Sequence, residues 1–236
     1  TFASVNAYYF GMNFDPTTAG RFAVAYMDNT NGNEGTVNVG TISGTSVTFG
    51  SASVFNSSGS EIPFISFDPF NSGKFVVAYT DANNSSYGAT NIGTISGTTA
   101  SFSAKTIFNT GSTAAISVSF DPNVSGKFVV IYSDNGNSGF GTAIVGTLSG
   151  TSISYGSEVV LNAGATSSTT IGFDPSNFGK FVAAYTDGGN SSYGTAILGQ
   201  LAYSSVTANL TSTNFIGISD AAYADTTTAT VTLPSG

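Results

Sequence analysis

Two aspartates recur through this chain every 53 residues, and between them they hold most of its acid–base chemistry. Asp15, Asp68, Asp121 and Asp174 each precede a proline. Asp28, Asp81, Asp134 and Asp187 each stand two residues after a tyrosine. These eight are the majority of the 13 carboxylates, and Arg21, Lys74, Lys127 and Lys180 are four of the five cations. Only Glu34, Glu61, Glu158, Asp220, Asp225 and Lys105 stand outside the repeat. With no His and no Cys, imidazole catalysis, thiol nucleophiles, disulfides and zinc–thiolate sites are all excluded. A carboxylate pair is the catalytic constellation still open. Such pairs work by environments that push two pKa values apart, which is an asymmetric arrangement. Charges repeated with the fold serve the fold. Sequence analysis therefore expects no catalytic residue, no cofactor and no enzyme.

The repeated acids have structural readings. In "DPFNSGK" Pro69 fixes φ for a turn and Asp68 can accept a backbone N–H, so Asp15, Asp68, Asp121 and Asp174 read as turn caps. The second set opens the loops "DNTNGNEG", "DANNSSYG", "DNGNSGFG" and "DGGNSSYG". An Asn three residues on gives each loop a faint likeness to a calcium loop, which makes Asp28, Asp81, Asp134 and Asp187 weak calcium candidates. A calcium loop places carboxylates at alternate positions and ends in a bidentate Glu, whereas here one carboxylate recurs. An Asx-type loop is the plainer reading. Six positions after that Asp come Glu34, Tyr87, Phe140 and Tyr193, a recurring loop side chain suited to stacking on a sugar ring or to packing on the neighbouring unit.

These residues must be held by something equally periodic. Each unit reads as four short strands bounded by turn residues, as in 62–67, 74–80, 89–95 and 99–108, and no run has helical spacing. The strand "KFVVAY" is apolar on both faces, so each sheet needs a neighbour on each side. Radial repetition of four-stranded sheets supplies those neighbours. The expected fold is all-β, a β-propeller of antiparallel blades at about 1–56, 57–109, 110–162 and 163–210, with a stacked β-solenoid as the alternative. Residues 211–236 leave the repeat and read as a C-terminal β linker or the start of a further domain.

Composition limits the partners. Net charge is −8 with only 8% charged residues, so no phosphate-neutralising surface exists for nucleic acid or anionic membranes. No apolar run is long enough to span a bilayer as a helix. In a propeller the Asp-Pro turns and Ser-Gly-Thr hairpins share one face. The loops opened by the second Asp and the variable stretches 56–63, 109–116 and 162–169 share the other, which is the expected contact surface.

The pattern "FDP…GKFVVAYTD…NSSYGTA" and the segment "NLTSTNFIGISDAAYAD" resemble repeat regions of tail-fibre and other virion proteins of tailed phages, over nearly the whole chain. That resemblance implies a non-catalytic structural or adhesive part of a virion, extracellular and touching the host surface. It implies other virion proteins and a host glycan or protein as partners, and a homotrimer as the assembly. A secreted or cell-surface carbohydrate-binding adhesin is the alternative, and a glycan-cleaving enzyme a third.

Overall fold

The computed structural model describes residues 1–57 and 59–201. The proposed segment 211–236 lies outside the described residues. The first unit contains β1 (Ala7–Phe14), β2 (Arg21–Asp28), β3 (Glu34–Ser43), β4 (Ser46–Phe49) and β5 (Ser53–Asn56). The second contains β6 (Ser60–Phe67), β7 (Lys74–Asp81), β8 (Tyr87–Ser96) and β9 (Thr99–Phe102). The third contains β10 (Thr106–Phe120), β11 (Lys127–Asp134), β12 (Phe140–Ser149) and β13 (Ser152–Tyr155). The fourth contains β14 (Val159–Phe173), β15 (Lys180–Asp187) and β16 (Tyr193–Gln200). All pairings among the described residues are antiparallel, so the all-β expectation holds.

The expected fourth strand needs correction. It is broken: β9 pairs with one half of β8, and the chain leaves the sheet at 103–105 before pairing with the other half. It then does not turn. β10 runs on as the first strand of the third unit, pairing β8 through Thr106–Ser112 and β11 through Thr113–Phe120. β14 does the same between the third and fourth units. Single-turn 3-10 helices at Asn29–Asn31 and Asn135–Asn137 also interrupt the expected absence of helix. Each is capped by the preceding Asp, whose side chain accepts an N–H two residues on.

The Ser-Gly hairpins close as their sequence suggests. Ser96 pairs with Thr99, and only Gly97, the first central residue, has positive φ (62°), as a type II′ turn requires.

The core explains the repeated glycines at 40, 93, 146 and 199. Phe75 pairs across the ladder with Gly93, and its ring lies flat over that glycine, as do Phe22, Phe128 and Phe181 over theirs. Each ring is buried. Burying one such side chain contributes roughly 1.5–3 kcal/mol. The other face of each second strand packs on the next unit. Ala23, Ala25, Val37 and Val39 of the first unit meet Ile65, Phe67, Phe75, Val77 and Tyr79 of the second. The same junction recurs between the second and third units and between the third and fourth. The first strands also stand side by side, β1 on β6, β6 on β10 and β10 on β14. Side chains bridge them to backbone: Asn13 Oδ1 accepts from Phe67 N–H, Ser66 Oγ from Phe120 N–H and Ser117 Oγ from Ile171 N–H.

The Asp-Pro turns are held by their carboxylates. Asp68 accepts from Phe70 N–H and from Asn71 Nδ2, and Asp121 from Asn123 N–H. Asp174 accepts from Ser176 N–H and Asn177 Nδ2. Asp15 accepts from Thr17 N–H and hydroxyl, from Arg21 Nε and Nη2, and from Gly73 N–H of the second unit. Burial alone would raise the Asp15 pKa, but the Thr17 hydrogen bonds and the Arg21 guanidinium outweigh it and hold the carboxyl below its ordinary range. A carboxyl depressed in the folded state stabilises fully above the unfolded value of about 3.9 and ceases to do so as pH falls through the folded value. Asp15→Asn is expected to flatten the acid limb of the stability curve below that value, measured by urea unfolding across pH 2–6.

Candidate functional site

The ladder registers bring the second set of aspartates to one end of every unit. Asp28 stands opposite Ala7 on β1 and Glu34 on β3. Asp81 is likewise flanked by Ser60 and Tyr87, Asp134 by Thr113 and Phe140, and Asp187 by Thr166 and Tyr193. The second–third loops and the fourth–first connections therefore emerge together. The Asp-Pro turns and Ser-Gly hairpins lie at the opposite end, where Phe75 pairs with Phe67 and Gly93.

Each aspartate is occupied within its unit. Asp28 accepts from Thr30 N–H at 2.9 Å and Asn31 Nδ2 at 3.0 Å. Asp134 accepts from Gly136 N–H at 3.0 Å and Asn109 Nδ2 at 3.1 Å. Asp187 accepts from Gly189 N–H at 2.9 Å and Asn162 Nδ2 at 3.1 Å. Asp81 differs: its buried carboxylate takes the Lys105 ammonium at 2.5 Å. Among the described residues no three acidic side chains converge as a ligand set.

Six residues that sequence analysis passed over complete this end. Asn109 also donates to Thr113 Oγ1, Asn162 to Thr166 Oγ1 and Asn56 to Ser60 Oγ. Each Asn leaves one unit, each hydroxyl opens the next, and in the third and fourth units the Asp closes the network. Their signal was present in the same 53-residue interval, inside stretches that otherwise drift in sequence.

The tyrosines beneath this layer are held protonated. Burial and the nearby Asp28 carboxylate push the Tyr26 phenol up to about 12, and burial raises Tyr79 and Tyr132 as well. Tyr26 and Tyr79 donate to Asn38 and Asn91. The third unit has Ile144 at that position, and the Tyr132 hydroxyl donates to Glu158 at 2.7 Å instead.

The four recurring loop residues occupy equivalent places. Tyr193 is 63% exposed, while Glu34, Tyr87 and Phe140 are half-buried. No ring contact joins the three aromatics among the described residues. Around them lie neutral amides and hydroxyls, including Ser85, Ser86, Ser191 and Ser192, all at positive φ. Each first strand also carries a bulge near this end, with Tyr9, Ile62, Ala115 or Ser168 at φ between 47° and 53°. Left-handed backbone at non-glycine residues is costly and gathers at functional sites. At the first junction Ser60 N–H donates to Asn33 O at 2.8 Å, so the unrepeated Glu34 and Glu61 each follow one partner of a bond between units.

No protein-family model and no curated protein matches the chain. Its fold is similar to those of several solved structures. Saccharomyces cerevisiae Sqt1 matches with a TM-score of 0.54 at 12% identity, over 84% of this chain and 46% of that one. The NanB sialidase of Streptococcus pneumoniae matches with 0.50 at 13% identity, over 80% and 28%. The exo-β-1,3-galactanase of Phanerochaete chrysosporium, solved with β-1,3-galactotriose, matches with 0.51 at 12% identity, over 84% and 48%. The chain spans less than half the length of each.

These likenesses correct two expectations. The virion-appendage function does not stand, because the all-β arrangement is shared with carbohydrate-active proteins and nothing matched identifies a phage repeat. The exclusion of an enzyme does not stand either, since that same arrangement occurs in glycan-cleaving enzymes. Repetition of most of the charges is a weak ground for that exclusion. Glycoside hydrolysis needs only two suitably spaced carboxyl groups, and Glu34, Glu61 and Glu158 lie outside the repeat.

Proposed function

We propose that the chain is a run of four β-propeller blades that engages carbohydrate at the end where its second–third and fourth–first connections meet. The observation that carries this is the composition of that end. It is repeated four times, its aspartates are consumed by internal hydrogen bonds, and it offers amides, hydroxyls and one aromatic or Glu side chain per unit. A neutral, hydrogen-bonding surface with apolar ring faces suits an uncharged polyol better than a phosphate or a cation. The blade reading rests on ladders that stay antiparallel while successive sheets pack face to face. The carbohydrate reading draws further support from the sialidase and the galactanase.

Within this reading Tyr193 is the most accessible platform, and Glu34 and Glu61 are the carboxylates placed to act on a bound glycosidic bond. Tyr193→Ala is expected to weaken binding of a neutral oligosaccharide by roughly fivefold, the equivalent of one aromatic contact of about 1 kcal/mol. Titration calorimetry over a panel of neutral oligosaccharides measures it. If any member of the panel is cleaved, Glu34→Gln or Glu61→Gln is expected to lower turnover by about 10²-fold or more while binding persists. A panel in which none binds and none is cleaved overturns the proposal.

A further inference from the structure

Among the described residues two halves of the repeated junction lie open, one on the first unit and one on the fourth. In the three inner junctions, the face of β2, β7 or β11 that looks toward the next unit is sealed: Ala23, Val76 and Val129 are each 0% exposed. The equivalent Val182 on β15 is 49% exposed. On the third strands Val39, Ile92 and Val145 are buried, whereas Leu198 is 50% exposed. A cleft of about 330 Å³ opens on this face, lined in part by Ser168, Thr170, Ala184, Gly194 and Ala196.

The opposite half is bare on the first unit. Ile65 and Phe67 of β6, and Ile116, Val118 and Phe120 of β10, are buried against the preceding unit. Their counterparts Phe10, Met12 and Phe14 on β1 are 49–58% exposed. The N-terminal residues Phe2, Ala3 and Val5 cover the neighbouring Phe22, Val24 and Tyr26, and the Phe2 ring meets Phe10 edge-on at 5.9 Å, yet Phe10 keeps more than half of its surface exposed. Among the described residues, first-strand packing runs from β1 to β14 with no comparable contact returning from the fourth unit to the first.

We propose that two copies of the chain join head to tail, the Val182–Leu198 face of each seating the Phe10–Met12–Phe14 face of the other. The occupant is argued from the molecule itself. The junction is one the chain already forms three times, and the two bare faces are its two halves. A head-to-tail contact must close or grow into a filament. The inference rests on the blade reading above, and propellers hold roughly four to eight blades. Two runs of four units make eight, which lies within that range.

Light scattering behind size exclusion tests this on the full chain, at concentrations from about 1 to 200 µM, chosen to bracket the µM affinities common for such contacts. The expected mass is twice the 23.8 kDa of the chain. Val182→Asp with Leu198→Asp is expected to give the single-chain mass with an unchanged far-ultraviolet spectrum, and so is Phe10→Asp with Met12→Asp. These side chains are already half exposed, so folding is little affected. Leu198→Ser is a milder check and is expected to weaken the pair. Mixing the two double variants leaves one intact junction and is expected to restore a two-chain species at the highest concentrations. A wild-type chain at 23.8 kDa throughout overturns the proposal, whether residues beyond Leu201 or another protein cover the face. A doubled mass that survives both double variants overturns it as well. Oligosaccharide titration of the same samples separates the two readings. A sugar-binding single chain sinks only the pairing, and a pair blind to sugar sinks only the carbohydrate reading.

Discussion

Gly93→Ala is expected to destabilise the protein by about 3 kcal/mol or more. A Cβ built on Gly93 falls 2.0 Å from Cζ and 2.2 Å from Cε2 of Phe75. The ring cannot retreat. It is fully buried, with the Phe67 ring centroid 5.1 Å away on one side and that of Phe102 5.9 Å away on another. Gly146→Ala meets the same obstacle under Phe128, with contacts of 2.0 and 2.3 Å. The control is Gly172→Ala, on β14, where an added Cβ meets nothing within 4 Å and φ is not positive. That change is expected to lie within about 0.5 kcal/mol of neutral. Urea unfolding of the three variants measures the contrast. Equal, small losses at all three positions would show that the phenylalanine rings do not rest on these glycines.

Lys105→Met is the second large effect, expected to cost about 2–3 kcal/mol despite removing a side chain that is 42% exposed. An exposed ion pair would contribute less than about 1 kcal/mol. Here the partner is what matters. The Asp81 side chain is 2% exposed, and Lys105 stands in for the Asn that serves Asp134 and Asp187 in the later units. Removing the ammonium strands a buried carboxylate at the sheet end that carries the candidate site. Adding Asp81→Asn to Lys105→Met is expected to recover most of the loss, because an amide at 81 carries no charge to strand. Thermal unfolding of the single and double variants checks this. A double variant as unstable as the single one would mean the loss comes from packing of the lysine stem.

Much of the architecture was legible because the constraints are local and repeated. A strand apolar on both faces announces a sheet between two others, and Gly97 at the hairpin tip is required by the backbone. The break at 103–105 was not legible, since "TASFSAKTIF" has strand-like composition throughout. Neither was the passage of β10 from one unit to the next, because "NTGST" reads as a turn and is extended. The site was legible only in part. The aspartates stood out, but the amide that holds Asp134 comes from Asn109, 25 residues away, and such a pairing exists only once β10 has run on from β8 to pair with β11. The functional reading failed for a related reason. Repetition of charge speaks for structure at the eight repeated aspartates, but it does not extend to unrepeated acids such as Glu34 and Glu61, which the fold brings to the common end.

Amide chemical-shift mapping during titration with a neutral oligosaccharide is the most direct test of where this molecule meets its ligand. The expected perturbations fall on 28–34, 81–87, 134–140 and 187–193 and on the connections 56–61, 109–114 and 162–167. Shifts gathered instead at the Asp-Pro turns and Ser-Gly hairpins, or absent at saturating sugar, would contradict it.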